Sequence, residues 1–563
     1  MASRISKKVE KNYTEIAVNY CVQVVSGEIL AGKPMIQACQ RQLDNLMGGV
    51  DGYRYDTYFA HRVCRFIELL SHIKGKWAGK PIVLEPWQIF ILTTVFGWVN
   101  ASNKRRFKIA YIEVARKNAK STLSSGVALY LLCADGEGGP EVYSAATGRD
   151  QARIVWLDAK RMVERSKDLQ ARFGVRATAH TVEVDENAGI FKALSRDQGG
   201  NLDGLNVHGA VIDELHGHKT RDVWDVIETA TGAREQSLVW AITTAGFNRS
   251  GICYEQRDYA LKIMRGAAVD EEYFACVFTI DPEDDWADET CWIKANPNLH
   301  ISVSVDDMRR KCRKAIEQSS AQNNFLTKHL NVWVNSEVAW MNMRKWDDNA
   351  IQGMVATDFK QWDLYLAVDL ASKIDIASIG MLFSNSDEYR AFTKNYLPED
   401  TIGDSTNSQY KGWAIDEHLI ATPGNVTDYQ VIEEDIIALC KIFNVRAVCF
   451  DPFQATYIMT RLMEKNIPVV QYGNTVKNMS EPMKELERLV YSGKIKHPAD
   501  PVLDWMMGNV CAKEDVKENI FPRKEFPENK IDGVVALIMA LGKAISDQEE
   551  ADSVYESRGI LTF

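Results

Sequence analysis

The texture of the chain changes at Arg106. Before it, over roughly the first eighty residues, apolar positions recur at helical spacing with short connections, and no repeat or low-complexity tract interrupts them. From Arg106 strand-length apolar runs take over: Arg106–Val114, Glu141–Thr147, Thr181–Val184, Ile190–Leu194, Ala210–Asp213 and Ser237–Thr243. An apolar helix ending near Leu132 and a one-sided helix, Asp150–Arg165, fall between them. Strands alternating with helices predict a mostly parallel sheet covered on both faces. Residues 251–330 turn helical and charged, which predicts a lid or subdomain. Trp333, Trp340, Trp346 and Trp362 then mark a packed connector, since a flexible linker is more polar. A second strand-led unit begins at Leu364, with strands at Leu364–Leu370, Ser378–Phe383, Tyr389–Tyr396 and Ala447–Asp451 and a helix from Asp532. After Asp547 the chain is acidic and reads as a frayed tail. The division predicted is 1–80 helical, 81–250 core, 251–335 lid, 336–363 connector, 364–546 second unit and 547–563 tail.

A chain of 563 residues exceeds what one hydrophobic core serves, which agrees with two or more domains. With 46% hydrophobic and 25% charged residues, general disorder is not expected. The start, Met1–Asn12, is charged and lacks the apolar stretch of a signal peptide, and the apolar run Ile89–Val99 is too short to span a bilayer. The 11 cysteines form no CxxC pair and their number is odd, so they read as core fillers in a reducing compartment. A soluble intracellular protein is expected. The net charge of −11 argues against a uniformly basic DNA-binding surface but allows a local patch, because screening confines a phosphate contact to about 8–10 Å. Lys104-Arg105-Arg106 and the run Arg309, Arg310, Lys311, Arg313, Lys314 are candidates; solvated charged faces are the alternative.

Two groups of residues carry chemistry. The loop Ala115-Arg116-Lys117-Asn118-Ala119-Lys120-Ser121-Thr122 lies between a predicted strand and a predicted helix, where backbone N–H groups and a helix N-terminus can cradle phosphate. Lys120 would neutralise β- and γ-phosphates and Ser121 would ligate Mg²⁺. The spacing is that of GxxxxGK[ST], but alanine stands at both glycine positions, so a basic strand-to-helix turn is the other reading. Ala210-Val211-Ile212-Asp213-Glu214 is an apolar strand ending in two acids, placed on a strand predicted to neighbour the loop. Asp213 can hold Mg²⁺ and Glu214 can orient and deprotonate a water; a plain exposed strand end is the alternative. Trp87 and Gln88 could meet an adenine base, or simply begin a helix around a buried Trp. Thr243 and Thr244 end a later strand with hydroxyls that could sense γ-phosphate. His216 and His218 lack ligand spacing and a third partner, and read as surface or supporting polar residues.

In the second unit Asp369 and Asp451 close apolar strands and Asp532 opens an apolar helix. Such carboxylates can converge over a sheet, as two-metal phosphodiester cleavage requires, and oxygen-only ligation favours Mg²⁺ or Mn²⁺. A helix cap at Asp532 and a turn before Pro452 are the alternatives. Asp375 follows Asp369 closely and either assists the metals or stabilises a turn.

As an ordered series these residues resemble the large terminase subunit of tailed double-stranded DNA phages, HK97-like branch, from about Cys64 to Leu541. The marks are Lys76-Trp77-Ala78-Gly79-Lys80-Pro81, Leu84-Glu85-Pro86-Trp87-Gln88, Ala115–Leu123, Val211–Glu214, Thr243-Thr244-Ala245-Gly246, Leu370 after Asp369, Asp451-Pro452 and Lys530-Ile531-Asp532-Gly533. The resemblance implies an α/β architecture: an N-terminal P-loop ATPase of the additional-strand, catalytic-glutamate type and a C-terminal RNase H-like nuclease. It implies that Arg116, Lys117, Asn118, Ala119, Lys120, Ser121 and Thr122 form Walker A, with Arg116 contacting γ-phosphate. Asp213 and Glu214 become Walker B, Thr243 and Thr244 the coupling motif, Trp87 and Gln88 the adenine motif, and Asp369, Asp451 and Asp532 the nuclease metal ligands. The family usually keeps glycine where Ala119 stands. ATP, Mg²⁺ and Mg²⁺ or Mn²⁺ are the implied cofactors. Double-stranded DNA, the portal protein, a small terminase subunit and further copies in a ring are the implied partners, in the host cytoplasm and without a membrane. Arg149 and Arg153 are candidates to act from a neighbouring subunit. A helicase-like translocase with an inactive nuclease fold, or a non-enzymatic assembly component, are the competing functions.

Overall fold

The computed structural model describes residues 11–147, 149–194, 204–218, 220–249, 251–334, 336, 340–370, 375–405, 407, 409–515 and 517–557. The first ten residues, the side chain of Arg149 and residues 558–563 of the expected tail lie outside the described part. The chain divides into two compact units, one taking it to Arg313 and again over Asn324–Trp333, the other made of Lys314–Asn323 and the chain from Val334.

In the first unit the strand-length runs fold as strands because they are buried on both faces. Val207–Asp213 and Leu238–Thr243 are buried at every position, so neither shows a polar alternation. They lie in an eight-stranded sheet whose order, by residue range, is Tyr273–Val277, Ile109–Glu113, Leu238–Thr243, Val207–Asp213, Glu141–Ala145, Gly189–Ala193, Thr181–Val184 and Val175–Ala177. The first six strands run parallel, Thr181–Val184 pairs antiparallel with Gly189–Ala193, and Val175–Ala177 pairs antiparallel with Thr181–Val184. Two expectations need correcting. The loop strand and the acid strand are not neighbours; Leu238–Thr243 sits between them. And 251–330 is not purely a helical lid, because Tyr273–Val277 is fully buried and forms the edge strand beside Ile109–Glu113.

The N-terminal segment is helical as expected, at Tyr13–Val25, Lys33–Gly48, Thr57–Glu68 and Pro86–Gly97, and shares a continuous core with the sheet. Among the described residues no helix is long and apolar enough to cross a membrane. The run Lys104-Arg105-Arg106 is not a DNA-facing patch. Arg105 is buried against Asp135, Arg106 is buried against Glu271, and Lys104 pairs with Glu235. Arg309, Arg310 and Lys311 likewise engage Glu289, Asp306 and Asp307.

The second unit is built on a mixed sheet in which Asp363–Asp369 is central. It pairs antiparallel with Ala377–Asn385, which pairs antiparallel with Glu388–Pro398, and parallel with Asn444–Phe450 on its other side. Alternation along the central strand sends Leu364, Leu366 and Val368 into one core and Tyr365 and Ala367 into the other. Helices Tyr429–Ile442 and Pro452–Glu464 supply the first core, Val476–Tyr491 and Asp532–Ser557 the second. The last helix lies so close to the sheet that a Cβ at Gly380 would fall 2.7 Å from the Ala536 carbonyl carbon and the Leu537 nitrogen. That helix continues through the expected tail to Ser557 instead of fraying at Asp547. Trp340 and Trp346 are buried in this unit, and the Trp346 ring stacks on His497 at 3.9 Å.

Candidate functional site

In the first unit the parallel strands point their C-terminal ends the same way, and the candidate residues sit on those ends, where open α/β sheets bind ligands. Ala115–Ala119 links strand Ile109–Glu113 to helix Lys120–Cys133. Within that loop only Lys117 (φ 70) and Ala119 (φ 59) adopt positive φ. The first alanine therefore needs no glycine, whereas Ala119 takes the left-handed conformation that glycine adopts freely. An L-residue there carries about 1–2 kcal/mol of strain, while glycine costs roughly 0.5–1 kcal/mol in unfolded-chain entropy. Ala119→Gly is expected to raise unfolding free energy modestly, by under about 1 kcal/mol, in a denaturant titration. A loss of stability would mean that the methyl group is itself packed.

The loop is held from a distance. Asn118 is buried, and its Nδ2 donates to the Ala115 carbonyl at 3.0 Å and to Asn296 Oδ1 at 3.1 Å, while its Oδ1 accepts the Asn298 N–H at 3.0 Å. Ser302 Oγ donates to the Lys117 carbonyl at 2.6 Å, and the Arg116 N–H to the Lys328 carbonyl at 2.9 Å. Asn118 thus braces the loop. Trp87 joins the same brace: its Nε1 donates to Asn298 Oδ1 at 2.8 Å and its ring meets Phe278 edge-on. Local sequence gave no sign of Asn296 or Asn298, which lie about 180 residues away from Asn118.

Beside the loop is a cavity of about 410 Å³, a size suited to a small ligand, lined by His72, Trp77, Gln88, Thr122, Leu123 and Ile301 among others. Trp87 is not among its walls; Trp77 supplies the indole there. Gln88 does face it. Its Oε1 accepts the Glu85 N–H at 3.0 Å in a capping box, which leaves the Nε2 donors for a ligand.

Lys120 is buried, and its Nζ donates to the Val114 carbonyl at 3.1 Å. Burial pulls its pKa down, while Glu214 and Asp213 oppose that pull. Burial and the neighbouring Glu214 push Asp213 up to about 6. Asp213 Oδ1 accepts the Glu214 N–H at 3.0 Å, which leaves Oδ2 for a cation. Glu214 itself has φ 53, a left-handed conformation unusual for glutamate, where strain often marks function. Arg116 and Lys117 are exposed, and Arg116 lies near enough to act electrostatically on Lys120 and His216. Ser121 and Thr122, half-buried, open the helix. Thr243 Oγ1 donates to the Thr244 carbonyl at 3.0 Å and accepts the His216 N–H at 3.1 Å. Arg153 stands over the Trp156 ring. Lysine, two acids and two hydroxyls around a helix N-terminus make a set that can bind a phosphoanhydride and its cation and activate a water.

In the second unit Val368 and Phe450 are paired, so Asp369 and Asp451 follow on adjacent strand ends. Asp451 caps helix Pro452–Glu464 through Oδ1, which accepts the Phe453 N–H at 2.9 Å, and its Oδ2 accepts the Asn474 N–H at 2.7 Å. Burial, then Asp532, Asp451 and Asp375, push Asp369 far above the usual carboxylate range. Burial and Asp375 push Asp532 up to about 6, and among the described residues its buried Oδ2 has no hydrogen-bond partner. Asp375 pairs with Lys530 at 2.7 Å and Lys524 at 3.8 Å. The acids therefore share one electrostatic neighbourhood. Among the described residues, however, no three Asp, Glu, His or Cys side chains are gathered at ligand range of one cation. Mutual repulsion opposes such closure, and Asp451 is held by two amides. The orphaned Asp532 oxygen and the upward shifts fit a site for divalent cations with oxygen ligands.

A raised carboxyl pKa contributes stability that is present below the unfolded value, near 4, and is lost as pH rises through the folded value, about 6 for Asp532. Without divalent cations the second unit should therefore lose stability across that window. Mn²⁺ is expected to raise the melting temperature near pH 7.5 and much less near pH 5. Scanning fluorimetry with and without Mn²⁺ measures this, and Asp369→Asn/Asp532→Asn should abolish the response. A cation shift equal at both pH values would exclude these acids as its origin.

Two family models match the chain: the ATPase domain of the terminase large subunit over residues 86–262 and the endonuclease domain of the terminase large subunit over residues 267–548. The boundary between them falls before Tyr273–Val277, which the structure nevertheless places in the first unit's sheet. The chain is 35% identical over 382 residues to protein YmfN of Escherichia coli (strain K12), covering 65% of this chain and 83% of the relative. It is 26% identical over 501 residues to the terminase large subunit of Enterobacteria phage HK97, covering 87% and 96%. The solved large terminase of bacteriophage HK97 aligns with 86% of this chain and 99% of its own, at 26% identity and a TM-score of 0.43.

Proposed function

The chain belongs to the terminase large-subunit family, and from that premise we propose how its residues divide the work of a DNA-packaging motor with ATPase and endonuclease activity. The observation that carries the assignment is the gathering, on one end of one sheet, of the phosphate loop, Asp213-Glu214 and Thr243-Thr244. ATP lies with its base in the cavity beside Gln88 and its phosphates on the loop Arg116–Thr122. Lys120 leaves the Val114 carbonyl for the phosphates. Asp213 and Ser121 would hold Mg²⁺, which would offset phosphate charge. Glu214 takes a proton from the attacking water, and Arg116 meets the γ-phosphate. Trp87 and Asn118 act indirectly, by bracing the loop, and this revises the direct contacts the resemblance implied for them.

In the second unit Asp369, Asp451 and Asp532 would hold Mg²⁺ or Mn²⁺, which would supply Lewis-acid activation of water and offset charge on the leaving oxygen. Each Asp451 oxygen accepts one amide hydrogen bond and keeps a second lone pair for a cation. The motor acts on concatemeric double-stranded viral DNA in the host cytoplasm, as a ring on the portal protein, with a small terminase subunit selecting the substrate. Full-length protein should release phosphate from ATP faster with duplex DNA than without it, and should nick supercoiled plasmid in Mn²⁺. Nicking without ATP turnover would sink the motor reading. ATP turnover without nicking would favour a translocase with an inactive nuclease fold.

A further inference from the structure

His216 stands where the acid strand and the coupling motif meet. Its Nδ1 lies 3.3 Å from Glu214 Oε2, 3.1 Å from Thr243 Oγ1 and 3.3 Å from Thr244 Oγ1. Both threonine hydroxyls are within hydrogen-bond reach of this one ring nitrogen, with the carboxylate beside them. The single proton of the Thr243 hydroxyl goes to the Thr244 carbonyl, and that oxygen already accepts the His216 backbone N–H and faces the Cys253 thiol. Burial, its largest influence, lowers the pKa of the ring to about 4, which leaves it neutral near pH 7.

The ring is also clamped. A Cβ built at Gly246 would sit 2.9 Å from His216 Cβ, 3.3 Å from Trp333 Cζ3 and 3.4 Å from His216 Cδ2. Glycine at 246 is therefore required by the imidazole pressed against it. The ring has little freedom of its own and must follow the strand end that carries Thr243.

We propose that His216 is a positioning residue that transmits the state of the Thr243–Thr244 hydroxyls to the carboxylate of Glu214. The physical role is narrow. The ring edge stands against Oε2, with Nδ1 3.3 Å away, so that Oε1 is the oxygen left to accept the proton of water. Thr243 is in register with Glu113 on the loop strand, and its carbonyl accepts the Val114 N–H at 3.0 Å. A shift of the phosphate loop thus reaches Thr243 through the sheet and Glu214 through the imidazole. Neither histidine spacing nor composition reveals this, because the contacts join positions 27 and 28 residues apart.

The inference rests on Glu214 being the base, and the experiment separates the two. Steady-state ATP hydrolysis with duplex DNA is compared for full-length wild type, Glu214→Gln, His216→Ala, His216→Gln and His216→Asn. The amide group of Asn falls where Nδ1 stands, whereas that of Gln reaches toward Nε2. His216→Ala and His216→Gln are expected to lose on the order of 10–100-fold in kcat while KM for ATP stays within about threefold. His216→Asn should recover most of that loss, and binding of a fluorescent ATP analogue should be unchanged in all three. Gly246→Ala, which pushes the ring without removing it, should lower kcat in the same way. Should His216→Ala not fold, the Asn and Gln pair, both polar and of similar size, still decides. Equal kcat for the Asn and Gln variants, or a loss expressed in KM, would overturn the proposal. An active Glu214→Gln enzyme overturns the base assignment and this inference with it.

Discussion

Glu214→Gln is expected to reduce ATP turnover by at least about 10²-fold, the lower end of what a positioned general base contributes, and to stop packaging, while plasmid nicking in Mn²⁺ persists. The substitution keeps the size of the side chain and the left-handed backbone at position 214 (φ 53), whose N–H donates to the Ile242 carbonyl at 3.1 Å and to Asp213 Oδ1. It removes the carboxylate that would accept a proton from water. It also removes a charge that raises the pKa of Asp213 and supports the charged form of Lys120, while the loop contacts to phosphate stay, so the loss is expected in kcat and not in KM for ATP. Phosphate release with duplex DNA and plasmid nicking, measured on one preparation, decide the matter. Undiminished turnover would remove Glu214 from the mechanism, and loss of both activities would point to damage to the fold.

The longer central strands of both sheets were legible because burial on two faces forces long apolar runs, and the ends of those runs located Asp213, Thr243, Asp369 and Asp451 to within a residue. What periodicity does not encode is order within the sheet. Leu238–Thr243 enters between the loop strand and the acid strand although it follows both in the chain. Tyr273–Val277 was hidden for a related reason: it is a five-residue strand among charged helical stretches, buried by its partner Ile109–Glu113 and by helices Lys33–Gly48 and Ile252–Met264. The same limit applies to side-chain direction. Trp87 was legible as a residue near the nucleotide loop, but not as one whose indole turns to Asn298 while Trp77 lines the cavity. The basic run Lys104–Arg106 read as a surface feature, and its partners Asp135, Glu235 and Glu271 come from separate parts of the chain. Loop strain at Ala119 was legible from the departure from glycine; that Ala115 is free of it was not, since φ follows from the path of the loop.

Asp451→Ala is expected to reverse the pattern: DNA cleavage lost, ATP turnover kept. Loss of a direct metal ligand should exceed the roughly 10–100-fold that loss of an outer partner costs in metal affinity or activity. The alanine variant carries a second effect that must be separated from the first. Asp451 caps helix Pro452–Glu464 and holds the Asn474 N–H, so truncation costs about 1 kcal/mol in capping alone. Asp451→Asn keeps an oxygen for the cap and removes only the charge. If the carboxylate serves the cations, both variants lose nicking in Mn²⁺, and only the alanine protein melts lower. If Asp451 is merely a cap, the asparagine protein cuts DNA like the wild type and the metal-site assignment fails at this residue. The two results differ because Asp451, unlike the orphaned Asp532, already has a complete structural role in the fold. Cleavage then requires its oxygens to be shared between the backbone and the cations.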